Sequence, residues 1–214
     1  MRKFIIMGIQ GSGKGTQAKL LADDLDLEHF SVGDILRWNV QHHTKLGAQV
    51  KRIMASGDLV DDDLVESVVR DRLADHDWNF GFVIDGFPRN ARQAEFFLES
   101  YDIDGVINLH MPDEEVLRRV LARRLCSRCG MDYNLIAHRP QKEDVCDVCQ
   151  GKLEVRADDN PEALMVRLAA YHEETKPLIA IFERKEFVAT IDATLSVEQV
   201  QTSIRKRFNL PLGP

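Results

Sequence analysis

The sequence predicts an α/β fold built on a doubly wound, five-stranded parallel sheet. Apolar runs suited to buried parallel strands occur at residues 4–7, 82–84, 105–109 and 187–191, with a weaker candidate at 29–32. Helical patterns lie between these runs, and strands that alternate with helices form parallel sheets covered on both faces. Two insertions interrupt the alternation, one helical and charged, the other containing cysteines.

The chain length fits one domain with two insertions better than two equal domains. We predict a single domain over residues 1–214, consisting of a core in three pieces and two inserted segments. The core pieces are 1–31, 62–123 and 159–214, and the inserted segments are 32–61 and 124–158.

Helix signals mark three of the segments between the strands. After Lys14, apolar residues recur at i, i+3, i+4 and i+7. Residues 111–125 begin with proline and acidic residues and end with basic ones, as the helix dipole favours. Residues 160–176 begin with Asn160, a typical N-cap residue, and proline follows it. We therefore predict helices after Lys14 and over the other two segments.

The composition argues against several classes of protein. The net charge is −7, which disfavours broad binding to nucleic acid or anionic lipid. No run approaches the ~20 apolar residues that a membrane-spanning helix needs. Four cysteines in two close pairs, without a signal peptide, indicate a metal site in a reducing compartment rather than disulfides. We expect a monomeric cytoplasmic protein with no nucleic acid or membrane partner.

A glycine-rich loop, GIQGSGKGT at residues 8–16, follows the first strand candidate and opens a helix. Glycine lets backbone amides approach phosphate oxygens, the helix N-terminus favours anions, and Lys14 would reach the outer phosphates. The loop therefore predicts a nucleotide phosphate site. Gly15 stands where the general pattern has a Ser or Thr that binds magnesium, and the hydroxyl comes one residue later, at Thr16.

The GKGT form of this loop resembles adenylate kinase and its nucleoside-monophosphate kinase relatives. Three further blocks fit the same family: SVGDILR at 31–37, GDLVDDDLV at 57–65 and DGFPRNARQAE at 85–95. The resemblance covers nearly the whole chain and implies that 32–61 is a monophosphate-binding flap and 124–158 a lid. It also implies reversible, magnesium-dependent transfer of the ATP γ-phosphoryl group to AMP, giving two ADP.

The resemblance assigns residues to each nucleotide. ATP would bind to the loop, two arginines and a lid tyrosine: Gly11, Ser12, Gly13, Lys14, Gly15, Thr16, Arg119, Arg123 and Tyr133. AMP would bind to residues of the other blocks and two further arginines: Val32, Arg37, Leu59, Val60, Gly86, Arg89, Gln93, Arg156 and Arg167. The guanidiniums of Arg37 and Arg89 suit a dianionic phosphate, and the Gln93 amide, which donates and accepts, suits the adenine edge.

Some residues depart from the adenylate kinase pattern. Val32 stands where that family usually has Thr, and Asn90 is shared with UMP/CMP kinases. The alternative function is therefore that of a UMP/CMP kinase or another nucleoside-monophosphate kinase. Gln93 and the Leu59–Val60 pair of block 57–65 favour AMP over pyrimidine monophosphates. Gln10 replaces the family's most frequent Pro.

Two aspartates match the positions at which the family holds magnesium, largely through water. These are Asp34 and Asp85. Mg²⁺ dehydrates reluctantly, so carboxylates that bind its waters suit it well.

The lid segment contains a four-cysteine metal pattern. Two residues separate Cys126 from Cys129, and sixteen residues separate this pair from the equally spaced Cys146 and Cys149. Four thiolates leave no open position for water, so the site should be structural; zinc is the predicted metal, and iron is the alternative. The resemblance is to the long bacterial form of the family, in which zinc holds the lid.

Catalysis of phosphoryl transfer needs alignment and charge neutralisation rather than covalent chemistry. By resemblance the catalytic residues are Lys14, Arg89, Arg119, Arg123, Arg156 and Arg167. Arg119 and Arg123 are four residues apart in the predicted 111–125 helix, so we expect them on one helical face. A remote alternative is a zinc-ribbon module that binds nucleic acid, but it would require a positively charged face.

Overall fold

The computed structural model describes residues 2–77, 79–136, 138–156 and 158–211. The predicted single-domain span also contains Met1, Trp78, Ala137, Ala157 and residues 212–214, which lie outside the described residues.

A parallel sheet forms the centre of the molecule. Its strands are β1 (Lys3–Gly8), β2 (Leu27–Ser31), β3 (Gly81–Asp85), β4 (Gly105–His110) and β8 (Val188–Asp192). Among the described residues they form one five-stranded sheet in the order β2-β3-β1-β4-β8, and every neighbouring pair is parallel. The predicted sheet is confirmed, including the weaker strand candidate.

Alternate residues of the strands face two separate apolar clusters. In β1, Phe4 and Ile6 belong to one cluster, whereas Ile5 and Met7 belong to the other. Helices cover both faces, as a doubly wound sheet requires. They are α1 (Lys14–Leu25), α4 (Asp62–Ala74), α5 (Ala91–Ser100), α6 (Asp113–Leu121), α7 (Pro161–Ala170), α8 (Leu178–Phe182) and α9 (Val197–Phe208).

The predicted helix over 160–176 is confirmed at its start and differs at its end. The Asn160 side chain accepts a hydrogen bond from the Ala163 amide at 2.8 Å, so it is the N-cap of α7. α7 ends at Ala170, and the chain continues as one π-helical turn over Tyr171–Thr175. Such turns insert a residue into the helical ladder and redirect the side chains that follow.

The predicted helix over 111–125 is wrong at its C-terminal end. α6 ends at Leu121, and the next residues form strand β5 (Arg123–Cys126). β5 pairs with β6 (Asp132–Asn134) in an antiparallel register. This tertiary pairing overrides the helical preference of the arginines, since propensity is only a weak prior. Arg119 and Arg123 therefore do not share a helical face.

The two inserted segments have different secondary structure. The first contains α2 (Val32–Gln41) and α3 (Lys45–Ser56). The second carries a small antiparallel sheet in which β5 lies between β6 and β7 (Leu153–Glu154). Throughout the described part of the chain, the helices are too short or too polar to cross a lipid bilayer.

Candidate functional site

A cavity of about 600 Å³ lies at the carboxyl ends of β1, β2 and β3. Ligands of open parallel sheets bind at this edge. The cavity is lined by all the residues predicted for nucleotides and magnesium. These are Gly11, Ser12, Gly13, Lys14, Gly15, Thr16, Val32, Asp34, Arg37, Leu59, Val60, Asp85, Gly86, Arg89, Gln93, Arg119, Arg123, Tyr133, Arg156 and Arg167.

The glycine loop joins β1 to α1 and curls around one lysine. Gly11 and Gly13 have φ angles of 79° and 88°, in the left-handed region that favours glycine. The Lys14 ammonium lies inside the curl and donates to the carbonyl oxygens of Gly8 at 2.8 Å and Ile9 at 2.9 Å. The loop thus presents a helix N-terminus and a fixed positive charge to the cavity.

Burial changes the acidity of this lysine. Loss of solvent lowers the pKa of Lys14 from 10.5 to about 8. The negative charge of Asp85 opposes the lowering, whereas the positive charges of Arg89 and Arg123 add to it. A nucleotide phosphate bound beside the ammonium would raise the pKa of Lys14 again, because its negative charge favours the protonated form.

Arg89 is held by contacts from three sides. Its Nε donates to the Gly86 carbonyl at 3.0 Å, and its backbone amide donates to Gln93 Oε1 at 2.8 Å. The Thr175 hydroxyl, at the end of the π-helical turn, donates to the Arg89 carbonyl at 2.7 Å. Burial, together with the nearby charge of Arg167, lowers the pKa of Arg89 to about 10. The guanidinium is therefore charged at neutral pH and poorly solvated, as an anion-binding group should be.

Arg37 and Arg167 share one carboxylate. Arg167 Nη2 lies 2.7 Å from Asp158 Oδ2, and Arg37 Nη1 lies 3.9 Å from the same oxygen. Arg37 Nη2 also contacts Asp34 Oδ1 at 2.5 Å, and Arg167 Nη2 donates to the Met54 carbonyl of α3 at 3.1 Å. Burial alone would raise the pKa of Asp158, but the two guanidiniums outweigh it and the pKa lies below the ordinary value.

Arg123 and Arg156 lie near the two ends of the lid segment, and each has an acidic partner. Arg123 donates from Nε to Asp159 Oδ2 at 2.7 Å, and its Nη2 contacts Oδ1 of the same residue. Arg156 Nη2 lies 2.7 Å from Asp132 Oδ1, while Lys19 of α1 lies 3.8 Å from the other oxygen of Asp132. These pairs hold two guanidiniums against the cavity at fixed angles.

The predicted ATP side contains Arg119 and Tyr133. Arg119 remains on α6, where its Nη2 donates to the Thr194 carbonyl at 3.2 Å. Tyr133 borders the cavity, but its hydroxyl accepts from the Asp147 amide at 2.8 Å and lies 3.5 Å from Cys146 Sγ. Its hydroxyl therefore makes stabilising contacts within the lid.

The predicted acceptor side centres on Gln93, which is almost fully buried. Its Nε2 donates to Asp62 Oδ1 at 2.7 Å. The neighbouring Asn90 caps α5, because its Oδ1 accepts from the Gln93 amide at 3.0 Å and its Nδ2 donates to Asp62 at 2.8 Å. Val32, at the start of α2, is 5% exposed and presents an apolar wall. Asn90 thus has a structural role, which gives no support to a pyrimidine monophosphate.

Asp85 ends β3 beside the glycine loop. Its Oδ1 is buried and lacks a hydrogen-bond partner among the described residues. A Cβ at residue 15 would lie 3.5 Å from Asp85 Oδ2, so a longer side chain there would enter the space before this carboxylate. Gly15 therefore leaves room for a group that binds the carboxylate, and a magnesium-bound water has the right chemistry.

The four lid cysteines come together as predicted. Their sulfur atoms all lie within 4.8 Å of one another. Cys126 Sγ lies 3.4 Å from Cys149 Sγ, and Cys129 Sγ lies 3.6 Å from Cys146 Sγ. Zinc bonds of ~2.3 Å in a tetrahedron separate sulfur atoms by about 3.8 Å, so the four thiols could hold such an ion. A Cβ at Gly151 would lie 2.8 Å from Cys126 Sγ, which explains glycine there.

Comparison with known proteins agrees with this geometry. Residues 6–187 match the family described as adenylate kinase. This chain belongs to the adenylate kinase family. Curated relatives named adenylate kinase include one from Caldicellulosiruptor bescii, 45% identical over 86% of this chain and 87% of the relative. Others come from Acetivibrio thermocellus, 37% identical over 94% and 95% of the two chains, and Methanocella arvoryzae, 39% identical over 95% and 96%.

Several residues that support this adenylate kinase site were not found by sequence reasoning. Thr175, Asp62 and Asp132 hold Arg89, Gln93 and Arg156, respectively. Asp62 lies in a run of three aspartates, and its contact with Gln93 crosses 31 residues of sequence. Thr175 lies inside a segment predicted as regular helix, and the structure places it at the end of a π-helical turn instead.

Proposed function

We propose that this chain catalyses reversible transfer of the γ-phosphoryl group of ATP to AMP, giving two ADP. One observation carries the proposal: a single cavity is lined both by the Lys14 loop and by the Arg37 and Arg89 guanidiniums. A donor triphosphate and an acceptor monophosphate need two sets of anion-binding groups that face one space. Membership of the adenylate kinase family supports the same reaction.

The protein's part in the reaction is alignment and neutralisation of charge. Lys14 would hold the outer phosphates of ATP, and Arg89 with Arg37 would hold the AMP phosphate. Arg123, directly before the lid segment, and Arg156, within it, would neutralise the phosphoryl group during transfer, together with Arg167 and Arg119. Such a transition state needs no covalent bond to the protein.

Asp85 is the proposed magnesium residue, and Asp34 would assist it. The buried, unpartnered Oδ1 of Asp85 supports this role, since a water of the hydrated ion can donate to it. When bound, Mg²⁺ neutralises charge on the phosphates. Asp34 lies beside Arg37. Burial raises the pKa of Asp34, but the Arg37 guanidinium lowers it by more, so the carboxylate is ionised at neutral pH.

Zinc is the proposed occupant of the four-cysteine site. The sulfur separations support a tetrahedral ion, and four protein ligands leave no position for a reacting water. The ion would therefore be structural. It would join β5 and β6 to the turn that carries the second cysteine pair, and so would hold the lid segment at 124–158 in shape.

Gln93 is the proposed reader of the adenine base. Its amide has two N–H groups and two lone pairs, and the bonds to Asp62 and to the Arg89 amide use one of each. The remaining donor and acceptor match the donor and acceptor of an adenine edge. The same bonds fix the orientation of the amide, which would favour AMP over CMP and UMP.

The two inserted segments, 32–61 and 124–158, are the proposed flap and lid. Their closure over the nucleotides would exclude water that would otherwise hydrolyse ATP. The cytoplasmic location and the monomeric state stay predictions.

The direct test is ADP formation from ATP and Mg²⁺ with AMP, CMP, UMP or GMP as acceptor. We expect AMP to exceed each of the others at least about tenfold in kcat/KM, since an unmatched polar edge costs on the order of 1–3 kcal/mol. A Gln93→Ala variant should lose most of this preference, whereas Gln49→Ala, exposed on α3, should keep it. Preference for CMP or UMP would overturn the acceptor assignment.

A further inference from the structure

Gln10 lies in the glycine loop and reaches the residue that directly follows the lid segment. Its Nε2 lies 3.3 Å from Asp159 Oδ1, a contact across 149 residues of sequence. Asp159 directly precedes the residue that caps α7. One side chain therefore joins the phosphate-binding loop to the point where the chain returns from the lid.

The direction of this hydrogen bond follows from chemistry. An ionised carboxylate can only accept, so the amide atom that faces Asp159 must be the nitrogen. With the amide reversed, Gln10 Oε1 would oppose the carboxylate, and two acceptors would meet. Gln10 is thus a donor to Asp159, a function that proline at this position cannot supply.

Asp159 in turn orients Arg123. The Asp159 side chain is completely buried and binds the Nε and Nη2 atoms of Arg123 as a fork. A guanidinium has five N–H donors, so the three that remain point away from the carboxylate. Arg123 also lines the nucleotide cavity. The rotamer of Asp159 therefore sets the direction in which Arg123 presents its free edge.

We propose that Gln10 is a positioning residue for phosphoryl transfer: it fixes Asp159 relative to the phosphate loop and thereby aims Arg123 at the transferring group. This inference rests on the proposed function. Arg123 opens strand β5, directly before the lid segment, and Lys14 belongs to the loop, so their relative placement decides whether both contact the same phosphates. The Gln10–Asp159 bond is a direct tie between these two parts of the protein.

The test compares Gln10→Met and Gln10→Ala in the full-length, metal-loaded protein. Methionine keeps the length and volume of the side chain but cannot donate. We expect both variants to lower kcat about 3- to 10-fold, the effect of one lost hydrogen bond, with the KM for AMP within about twofold of the parent. Gln41→Met, exposed at the end of α2, serves as the matched control and should leave kcat unchanged.

A second comparison asks whether Gln10 acts through Asp159. In an Asp159→Ala background, Gln10→Met should lower kcat less than about twofold further, because coupled residues are not additive. Full kcat in Gln10→Met would assign the side chain to packing and overturn the inference, as would an additive effect. Should Asp159→Ala not fold, the Gln10→Met and Gln10→Ala pair decides alone. A parent without ADP formation from ATP and AMP overturns the proposed function, whereas an active parent with an unaffected Gln10→Met overturns only this inference.

Discussion

The central sheet and the lid are held together by different means. The sheet is buried between two large apolar clusters. Strand β1 contributes Phe4 and Ile6 to one cluster and Ile5 and Met7 to the other. The buried cluster of the lid has only four members in the described structure, Cys126, Tyr133, Cys146 and Leu153, and two of these are cysteines. So small a core supplies little hydrophobic stabilisation, and small units of this kind need a metal or disulfides. The lid should therefore lose its structure under conditions that leave the sheet intact.

The largest expected effect concerns the core side of the site. Lys14→Met removes the charge at the phosphates, and we expect kcat to fall about 10²- to 10³-fold, as for other electrostatic groups of a transition state. The melting temperature should stay near that of the parent, because the two apolar clusters hold the sheet and the variant loses only the Lys14 contacts at the end of β1. Lys185→Met, exposed and remote from the cavity, is the control and should change neither quantity. Equal activity in the two variants would contradict the role of Lys14.

The next effect separates the lid from the core. Cys146→Ser should abolish stoichiometric metal binding and lower kcat on the order of 10²-fold, because Arg123 and Arg156 lose their alignment. Limited proteolysis should cut the variant within residues 127–152, while a protected fragment retains the sheet. Val148→Ser, exposed in the same lid turn, is the matched control and should resist cleavage. If the parent after chelation showed an unchanged cleavage pattern, the metal would have no structural role.

The smallest effect is a pH dependence that only the core should show. Lys14 has its pKa lowered to about 8, so its ammonium is present below that pH and is lost above it. In the free enzyme, kcat/KM should therefore decline above pH 8, by about tenfold per pH unit once deprotonation dominates. Lys14→Arg should move the decline to higher pH, because arginine stays protonated. A decline near pH 8 that persists in Lys14→Arg would assign it to another group.

The same contrast explains what the sequence could predict. The strands of the sheet were found because fully buried runs are a local signal, and the cysteine site was found because its spacing is local within each pair. The end of α6 was not found, because β5 forms only by pairing with β6. The contacts Gln10–Asp159 and Thr175–Arg89 cross 149 and 86 residues of sequence, so no local pattern predicts them. Sequence thus predicted which residues line the cavity but not which residues hold them in place.

The ion pairs of the cavity have a consequence for affinity. Arg37, Arg156 and Arg167 each contact a carboxylate already, so a phosphate that took the same N–H groups would have to replace a partner rather than meet a solvated cation. The heat of binding is then a difference between two similar attractions, and it should be small for a lone phosphate. A nucleotide would make base contacts in addition, and these would favour the replacement of the carboxylate by its phosphate. If these arginines bind the nucleotide phosphates as proposed, competition between carboxylate and phosphate should keep inorganic anions from occupying the site.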